Sequence, residues 1–324
     1  MRRTSLFIAT LILLSALAAA TAAEVVLIKP AAGVANINPV WSPDGKSIAY
    51  VSKPTEGAPS IYIATPAGKT RLLLKDADSP VWSPDSKQLA VHSNGLVIVD
   101  AATGKAVKRL TTDSPDNVNS PNAWSPTGRY LLYTLNGIAG PQARVWDLKA
   151  GKALASSVGD GGAWTNAGKL IAWKGGEAAA IKLIDLASGS SKTLLTGSTA
   201  AGAFVPKGDT FAYLWLMAAP TRGEGIYKVD LKSGAAAKQL ALRCEQLQFS
   251  KDATQFACVS KLIPKKGAEP EMHLYLGNTK NWYFKSVSKG LASPSQIGSA
   301  ISWSPDGKSI AAATGDGGIK IVKL

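Results

Sequence analysis

Trp41-Ser42-Pro43-Asp44-Gly45-Lys46 decides the fold, because the chain writes it again and again. Trp82-Ser83-Pro84-Asp85-Ser86-Lys87, Trp124-Ser125-Pro126-Thr127-Gly128-Arg129 and Trp303-Ser304-Pro305-Asp306-Gly307-Lys308 are close copies. Worn copies fill the middle: Trp164-Thr165-Asn166-Ala167-Gly168-Lys169, Phe204-Val205-Pro206-Lys207-Gly208-Asp209 and Phe249-Ser250-Lys251-Asp252-Ala253-Thr254. The anchors Trp41, Trp82, Trp124, Trp164, Phe204, Phe249 and Trp303 are 41, 42, 40, 40, 45 and 54 residues apart. That is the period of a four-stranded propeller blade. The repeat therefore predicts an all-β fold, a single β-propeller of four-stranded blades, with seven the expected number and six the alternative.

The motif has its own physics. Ser42 can bond the backbone from the first turn position, Pro43 brings a preset φ, and Gly45 tolerates the exit geometry, so each copy reads as a tight turn between two strands. A short apolar segment follows each turn, as in Ile48-Ala49-Tyr50-Val51 and Ile310-Ala311-Ala312, and its middle residue is Ala in every copy but one, where it is Leu132. A small side chain there fits sheets that press face to face, where a larger one would overpack. Each of the first five repeats continues into a second alternating hairpin that turns at Gly68, Gly104, Gly151, Gly189 or Gly234. The seventh stops one strand short at Leu324. The segment Val25-Val26-Leu27-Ile28 is expected to supply that strand, closing the ring and covering an exposed edge.

The full chain has 324 residues, 46% of them hydrophobic, with 36 Lys and Arg against 22 Asp and Glu and a net charge of +14. This is the composition of a folded globular protein, and the charge speaks to association with anions, not to fold. Residues 1–23 read as a secretory signal peptide: Arg2 and Arg3 form its basic start, 6–20 its apolar stretch, and Ala20-Thr21-Ala22 its cleavage pattern. Residues 24–324 are then the propeller, exported to the periplasm and still basic. No later run of about 18 apolar residues offers a transmembrane anchor.

The repeated WSPDGK followed by an apolar β segment resembles the WD-like repeats of the TolB-type periplasmic propellers, over nearly all of the chain after residue 23. The resemblance implies a periplasmic protein with an envelope protein or peptide as partner and a role in envelope assembly or integrity. Two departures from that pattern stand out. The family's namesake carries an extra N-terminal α/β domain and six blades, whereas here the first motif begins within 20 residues of the expected cleavage site and seven anchors can be counted. The chain is therefore expected to be a propeller-only relative.

Motifs of chemistry are sparse. The sequence contains no G-x-S-x-G elbow, phosphate-binding loop, H-E-x-x-H helix or C-x-x-C pair. Its only histidines, His92 and His273, have no second His or Cys at ligand spacing and read as structural. No catalytic residue and no cofactor is therefore expected. Asp113, Asp116, Asn117 and Asn119 gather oxygens in the link after the second repeat and are weak cation candidates, but they lack the Gly and terminal Glu of a calcium loop. Cys244 and Cys258 flank the sixth motif turn, and in an oxidising compartment a disulfide is the expected state, with two reduced thiols the alternative.

In a propeller, the motif turns and the glycine turns share one face and the remaining links share the other. The longer links, at 53–60, 113–122, 217–225 and 261–271, all fall on the second face, and binding is expected at this rim and the central channel mouth. Asp113, Asp116, Asn119, Arg222, Glu224, Lys261, Lys265 and Lys266 are the candidate partner-binding residues. The expected function is that of a monomeric, non-enzymatic interaction module that binds no nucleic acid. Two alternatives stay open, a hydrolase or lactonase with a channel-bound cation and a basic binder of anionic envelope polymers.

Overall fold

A computed structural model describes residues 22–114, 117–138, 140–154, 157–217, 222–262, 271–294 and 299–324, with the main chain alone at 117 and 262. Most of the expected signal segment lies outside these residues, as do Asp116, Lys265 and Lys266.

The described strands form seven separate four-stranded antiparallel sheets. Six are built from consecutive strands, spanning 34–75, 78–109, 117–153, 161–196, 200–240 and 246–289, and are blades 1 to 6. Blade 7 combines the last three strands with Ala23–Ile28, which pairs antiparallel with Ile319–Lys323. The ring is thus closed by both ends of the described chain, as expected, by a strand two residues longer than its apolar core alone suggests. The seven-blade count holds.

The first strand of each blade touches the first strands of its two neighbours, so these seven strands surround the central channel. They are Val34–Trp41, Asp78–Trp82, Asn117–Trp124, Gly161–Trp164, Ala200–Phe204, Gln246–Phe249 and Ile301–Trp303. Each ends on its aromatic anchor, and the motif turn leads outward to the second strand. There Ala49, Ala90, Leu132, Ala172, Ala212, Ala257 and Ala311 are all buried, which fits their role as spacers between sheets.

The motif turn closes on itself in a repeated pattern. The Ser42 hydroxyl donates to Asp44 Oδ1 at 2.6 Å and accepts from the Ser47 amide at 3.0 Å, while Asp44 Oδ1 also accepts from the Lys46 amide. The same three contacts recur around Ser83, Ser250 and Ser304. These bonds hold each carboxylate ionised and lower the pKa of Asp44, Asp85, Asp252 and Asp306.

The anchors fasten one blade to the next. The indole N–H of Trp82 donates to the Val40 carbonyl of blade 1 at 3.0 Å, Trp124 to Val81 at 3.1 Å, Trp164 to Ala123 at 3.2 Å and Trp303 to Gln248 at 3.4 Å. Each hook reaches the residue just before the preceding anchor. Trp41 departs from the rule at the ring closure: its main-chain N–H donates to Ser302 Oγ at 3.0 Å, and its buried indole nitrogen has no hydrogen-bond partner among the described residues.

Candidate functional site

Phenylalanine at the fifth and sixth anchors cannot hook, and the channel wall changes there. The carbonyls equivalent to those of Val40 and Val81 belong to Ala163 and Ala203, and no indole reaches them. The inner strands also lose bulk: blades 4 and 5 read Gly161-Gly162-Ala163 and Ala200-Ala201-Gly202-Ala203, where blade 1 reads Asn36-Ile37-Asn38-Pro39-Val40. A recess of about 580 Å³ opens in the channel wall between blades 3, 4 and 5, reaching Gln248 of blade 6. A neighbouring cavity of about 270 Å³ runs between blades 5 and 6 and shares Gly202, Ala203 and Gln248 with it.

Glycine serves two purposes in this wall. A Cβ on Gly161 would lie 2.6 Å from the Trp173 ring, so the indole rests on the strand only because no side chain intervenes. At Gly202 a Cβ would meet nothing within 4 Å, and the space there is open. The polar groups around the recess are Asn122, which accepts from Thr134 Oγ1 at 2.9 Å, Asp160, which accepts from the Gly175 amide at 2.7 Å, and Gln248, which donates to the Ile301 carbonyl. An inner strand has a partner on one side only, so its other edge offers N–H and C=O groups toward the axis. Small side chains, an aromatic face and accessible main chain suit an extended polypeptide, held by main-chain hydrogen bonds with pockets for its side chains.

A second cluster lies on the loop face, at the junction of blades 2 and 3. His92, at the end of the second strand of blade 2, bridges Asp78 Oδ1 at 3.2 Å and Asp113 Oδ2 at 2.7 Å. The other Asp113 oxygen accepts from the amide and the side chain of Asn119, at 2.9 and 3.1 Å. The hydrogen bond with Asp78, with that of Asp113 behind it, outweighs burial and pushes the imidazole up to about 9, so it is a cation at neutral pH. Burial is the largest single influence on the two aspartates and opposes their charge, but hydrogen bonds from His92 and Ser79 to Asp78 and from His92 and Asn119 to Asp113, with the His92 charge, together outweigh it and both pKa values are lowered. Both oxygens of Asp113 are thus engaged within the fold.

The other loop-face candidates gather elsewhere. Glu224 pairs with Arg243 at 3.6 Å and Lys261 with Glu245 at 3.6 Å, around blades 5 and 6, and the Arg222 carbonyl accepts from the Tyr227 hydroxyl. Among the described residues, no ion pair or hydrogen bond joins this group to the Asp113 cluster. Three placements are corrected. Lys261, expected in a link, lies in the strand Gln255–Leu262 opposite Met272, and Asn117 begins the inner strand of blade 3. Asn119, read as a loop residue, lies within the inner strand of blade 3 and is buried, because pairing begins already at Asn117. His273 is also buried, against Ser286 Oγ at 2.8 Å and Glu271 at 3.4 Å. Cys244 and Cys258 form a disulfide, which packs against Trp215 beside the blade 5–6 seam. Among the described residues, no group of three or more His, Cys, Asp or Glu side chains is arranged to hold a metal ion.

The central channel mouth was expected to bind, but the position of the recess in its wall was not anticipated from sequence. Its signal was present in the runs of Gly and Ala just before the fourth and fifth anchors, where the intact repeats carry Pro and branched residues.

Comparison with known proteins agrees with this architecture. A family model described as the TolB beta propeller domain matches residues 24–250. The Tol-Pal system protein TolB of Bordetella pertussis is 34% identical over 126 residues, covering 36% of this chain and 28% of that protein. The same protein of Bordetella bronchiseptica matches equally. The match thus spans little more than a quarter of those relatives' length. Among solved structures, an oligogalacturonate lyase in complex with manganese has a TM-score of 0.72 at 15% identity, covering 94% of both chains. An oligogalacturonate lyase from Vibrio parahaemolyticus has a TM-score of 0.70 at 12% identity, covering 95% of both. At such identities the likeness is one of fold.

Proposed function

Because the chain belongs to the TolB β-propeller family, we propose that it is a non-enzymatic interaction module of the periplasm, with a role in envelope assembly or integrity, and that its channel recess holds an extended segment of an envelope protein. The observation that carries this reading is the loss of bulk on the inner strands of blades 4 and 5, beside which the recess opens between blades 3, 4 and 5. The Gly and Ala residues there leave main chain exposed beside the Trp173 ring and the Asn122 and Gln248 amides. The name of the Bordetella relatives places those proteins in the Tol-Pal system, and the proposal extends an envelope role to this chain. The recess-lining residues include no His, Cys or Lys, and recognition of a polypeptide asks for none.

Gly202 provides the test. Its neighbourhood has room for a side chain, and it lines both cavities. A photocrosslinking residue at the exposed Ala201 position, introduced in cells, is expected to give one discrete adduct with an envelope protein. Gly202→Leu should abolish that adduct while the purified variant keeps the parent unfolding temperature. No adduct, or an adduct indifferent to Gly202→Leu, would remove the recess as the binding site.

A further inference from the structure

We infer that the channel recess selects an arginine side chain of the segment it holds. The inference rests on the reading of the recess as a site for an extended polypeptide, and it names the residue that the site recognises. Asp160 is the one charged residue among the described residues that line the recess. It is exposed, and within the described fold its carboxylate takes a single hydrogen bond, on Oδ2 from the Gly175 amide at 2.7 Å. The aspartates of the motif turns and of the His92 cluster differ, because two or more donors already hold each of them. Asp160 therefore keeps an oxygen for a guest.

The wall around it is rich in acceptors. Elsewhere in the ring, an indole N–H fills the inner-strand carbonyls of Val40, Val81 and Ala123. The corresponding carbonyls of Ala163 and Ala203 receive none, because the anchors that would reach them are Phe204 and Phe249, and both alanines line the recess. Gln248 gives its amide N–H to the Ile301 carbonyl at 2.9 Å, so its oxygen is the group it can offer. A guest that brings N–H groups and positive charge fits this set.

Trp173 narrows the choice between cations. A Cβ on Gly161 would come within 2.6 Å of its ring, and Gly161 pairs with Trp173 across the two strands. The main-chain N–H of the adjoining Asp160 donates to the Trp173 carbonyl at 2.8 Å. Carboxylate and indole are thus held together by strand pairing. A guanidinium lies flat on an indole and carries five N–H donors in a fixed fork, whereas an ammonium is a compact, strongly hydrated point charge. The basic excess of the chain opposes any cation at long range, but salt screens charges beyond about 8 Å. Selection then falls to Asp160 at contact distance.

Titration calorimetry with the purified mature protein tests the inference. The probes are short Thr-Ser peptides that differ only in one central residue, which is Arg, its neutral isostere citrulline, or Glu. The Arg peptide is expected to bind roughly tenfold tighter than the citrulline peptide, the worth of one charge-assisted hydrogen bond, and the Glu peptide most weakly. Asp160→Asn keeps an oxygen for the Gly175 amide, so it should leave thermal unfolding unchanged while bringing the Arg and citrulline peptides within about twofold of each other. Gly202→Leu should abolish binding of all three. If the peptides bind alike and Gly202→Leu still abolishes binding, the recess holds polypeptide without selecting arginine, and this inference alone falls. An arginine preference that survives Asp160→Asn or Gly202→Leu would overturn it too, since the charge would then be read elsewhere. Absence of binding by every peptide would overturn arginine selection, with the Ala201 adduct in cells judging the recess separately.

Discussion

The seams leading into blades 2, 3 and 4 are fastened by indole hooks, whereas those between blades 4 and 5 and between 5 and 6 are fastened by other means. In the first region one N–H per blade reaches a carbonyl of its neighbour. Between blades 4 and 5, Asn166 instead clasps the Asp209 carboxylate and the carbonyls of Val205 and Pro206. Between blades 5 and 6 the tie is aromatic: Phe249 stacks on Phe204 at 5.5 Å and on Tyr213 at 5.0 Å, while Trp282 meets Tyr213 edge-on and lies over Phe256. A hook is directional and leaves little space. A stack tolerates displacement, and here it stands beside a cavity. The smaller cavity thus lies at the stacked seam, where the disulfide of blade 6 packs against Trp215, whereas the larger recess also borders the hooked seam between blades 3 and 4.

The stacked seam should be the most sensitive to a single change. Phe249→Ala removes the ring that touches Phe204, Tyr213 and Phe256 and should destabilise the protein by about 4 kcal/mol, combining lost burial with lost ring contacts. Denaturant unfolding of the oxidised protein measures it. A cost below about 1 kcal/mol would mean that blades 5 and 6 are joined chiefly by something other than this stack.

The same contrast explains what the sequence made legible. The period, the motif turns, the spacer alanines and the closing strand all follow from local rules repeated seven times, so the blade number and the closure could be read directly. The recess could not be read that way, because it depends on what Phe204, Phe249 and Gly202 lack, and an absence has meaning only once the neighbouring blade is in place. His92 was read as structural, and it is, but its partners could not be read for a related reason. Asp78 and Asp113 lie 14 and 21 residues away in sequence and meet only where a bulged inner strand and an interblade link converge. Asn119 was placed in a loop because Asn, Ser and Pro in series read as a turn, yet strand pairing overrode that local preference.

The hooked half carries an ionic element that the relaxed half lacks in this form, and pH separates the two. His92 titrates near 9 when folded against 6.5 as a free group. Its stabilisation is therefore fully present below about pH 6.5 and is lost as pH rises through about 9. Asp78 and Asp113, with lowered values, contribute above their ordinary 3.8 and lose that contribution as pH falls through their folded values. Stability from the cluster should form a plateau between these limits. With Asp78 partly open to solvent, the alkaline loss should be on the order of 2 kcal/mol. Unfolding measured from pH 6 to pH 10 should show this decline in the parent protein and a flatter profile in His92→Gln. Parallel profiles would assign the alkaline loss to other groups.

The smallest effect tests the hook itself. Trp82→Phe removes the indole N–H and leaves the Val40 carbonyl without that donor, making the first seam resemble the two relaxed ones, at a cost of about 1–2 kcal/mol. Loss of ring size contributes to that figure, so a second site is needed to isolate the hydrogen bond. Trp41 supplies it, because its buried indole nitrogen has no partner among the described residues while its main chain keeps the bond to Ser302. Trp41→Phe shrinks the same ring at the same place in the repeat and removes an unpaired buried donor, so it should cost about 1 kcal/mol less than Trp82→Phe. Equal costs at the two positions would show that the anchors act through bulk alone. The difference between hooked and stacked seams would then be one of shape, and the Phe204 and Phe249 anchors would need no compensating clasp or stack.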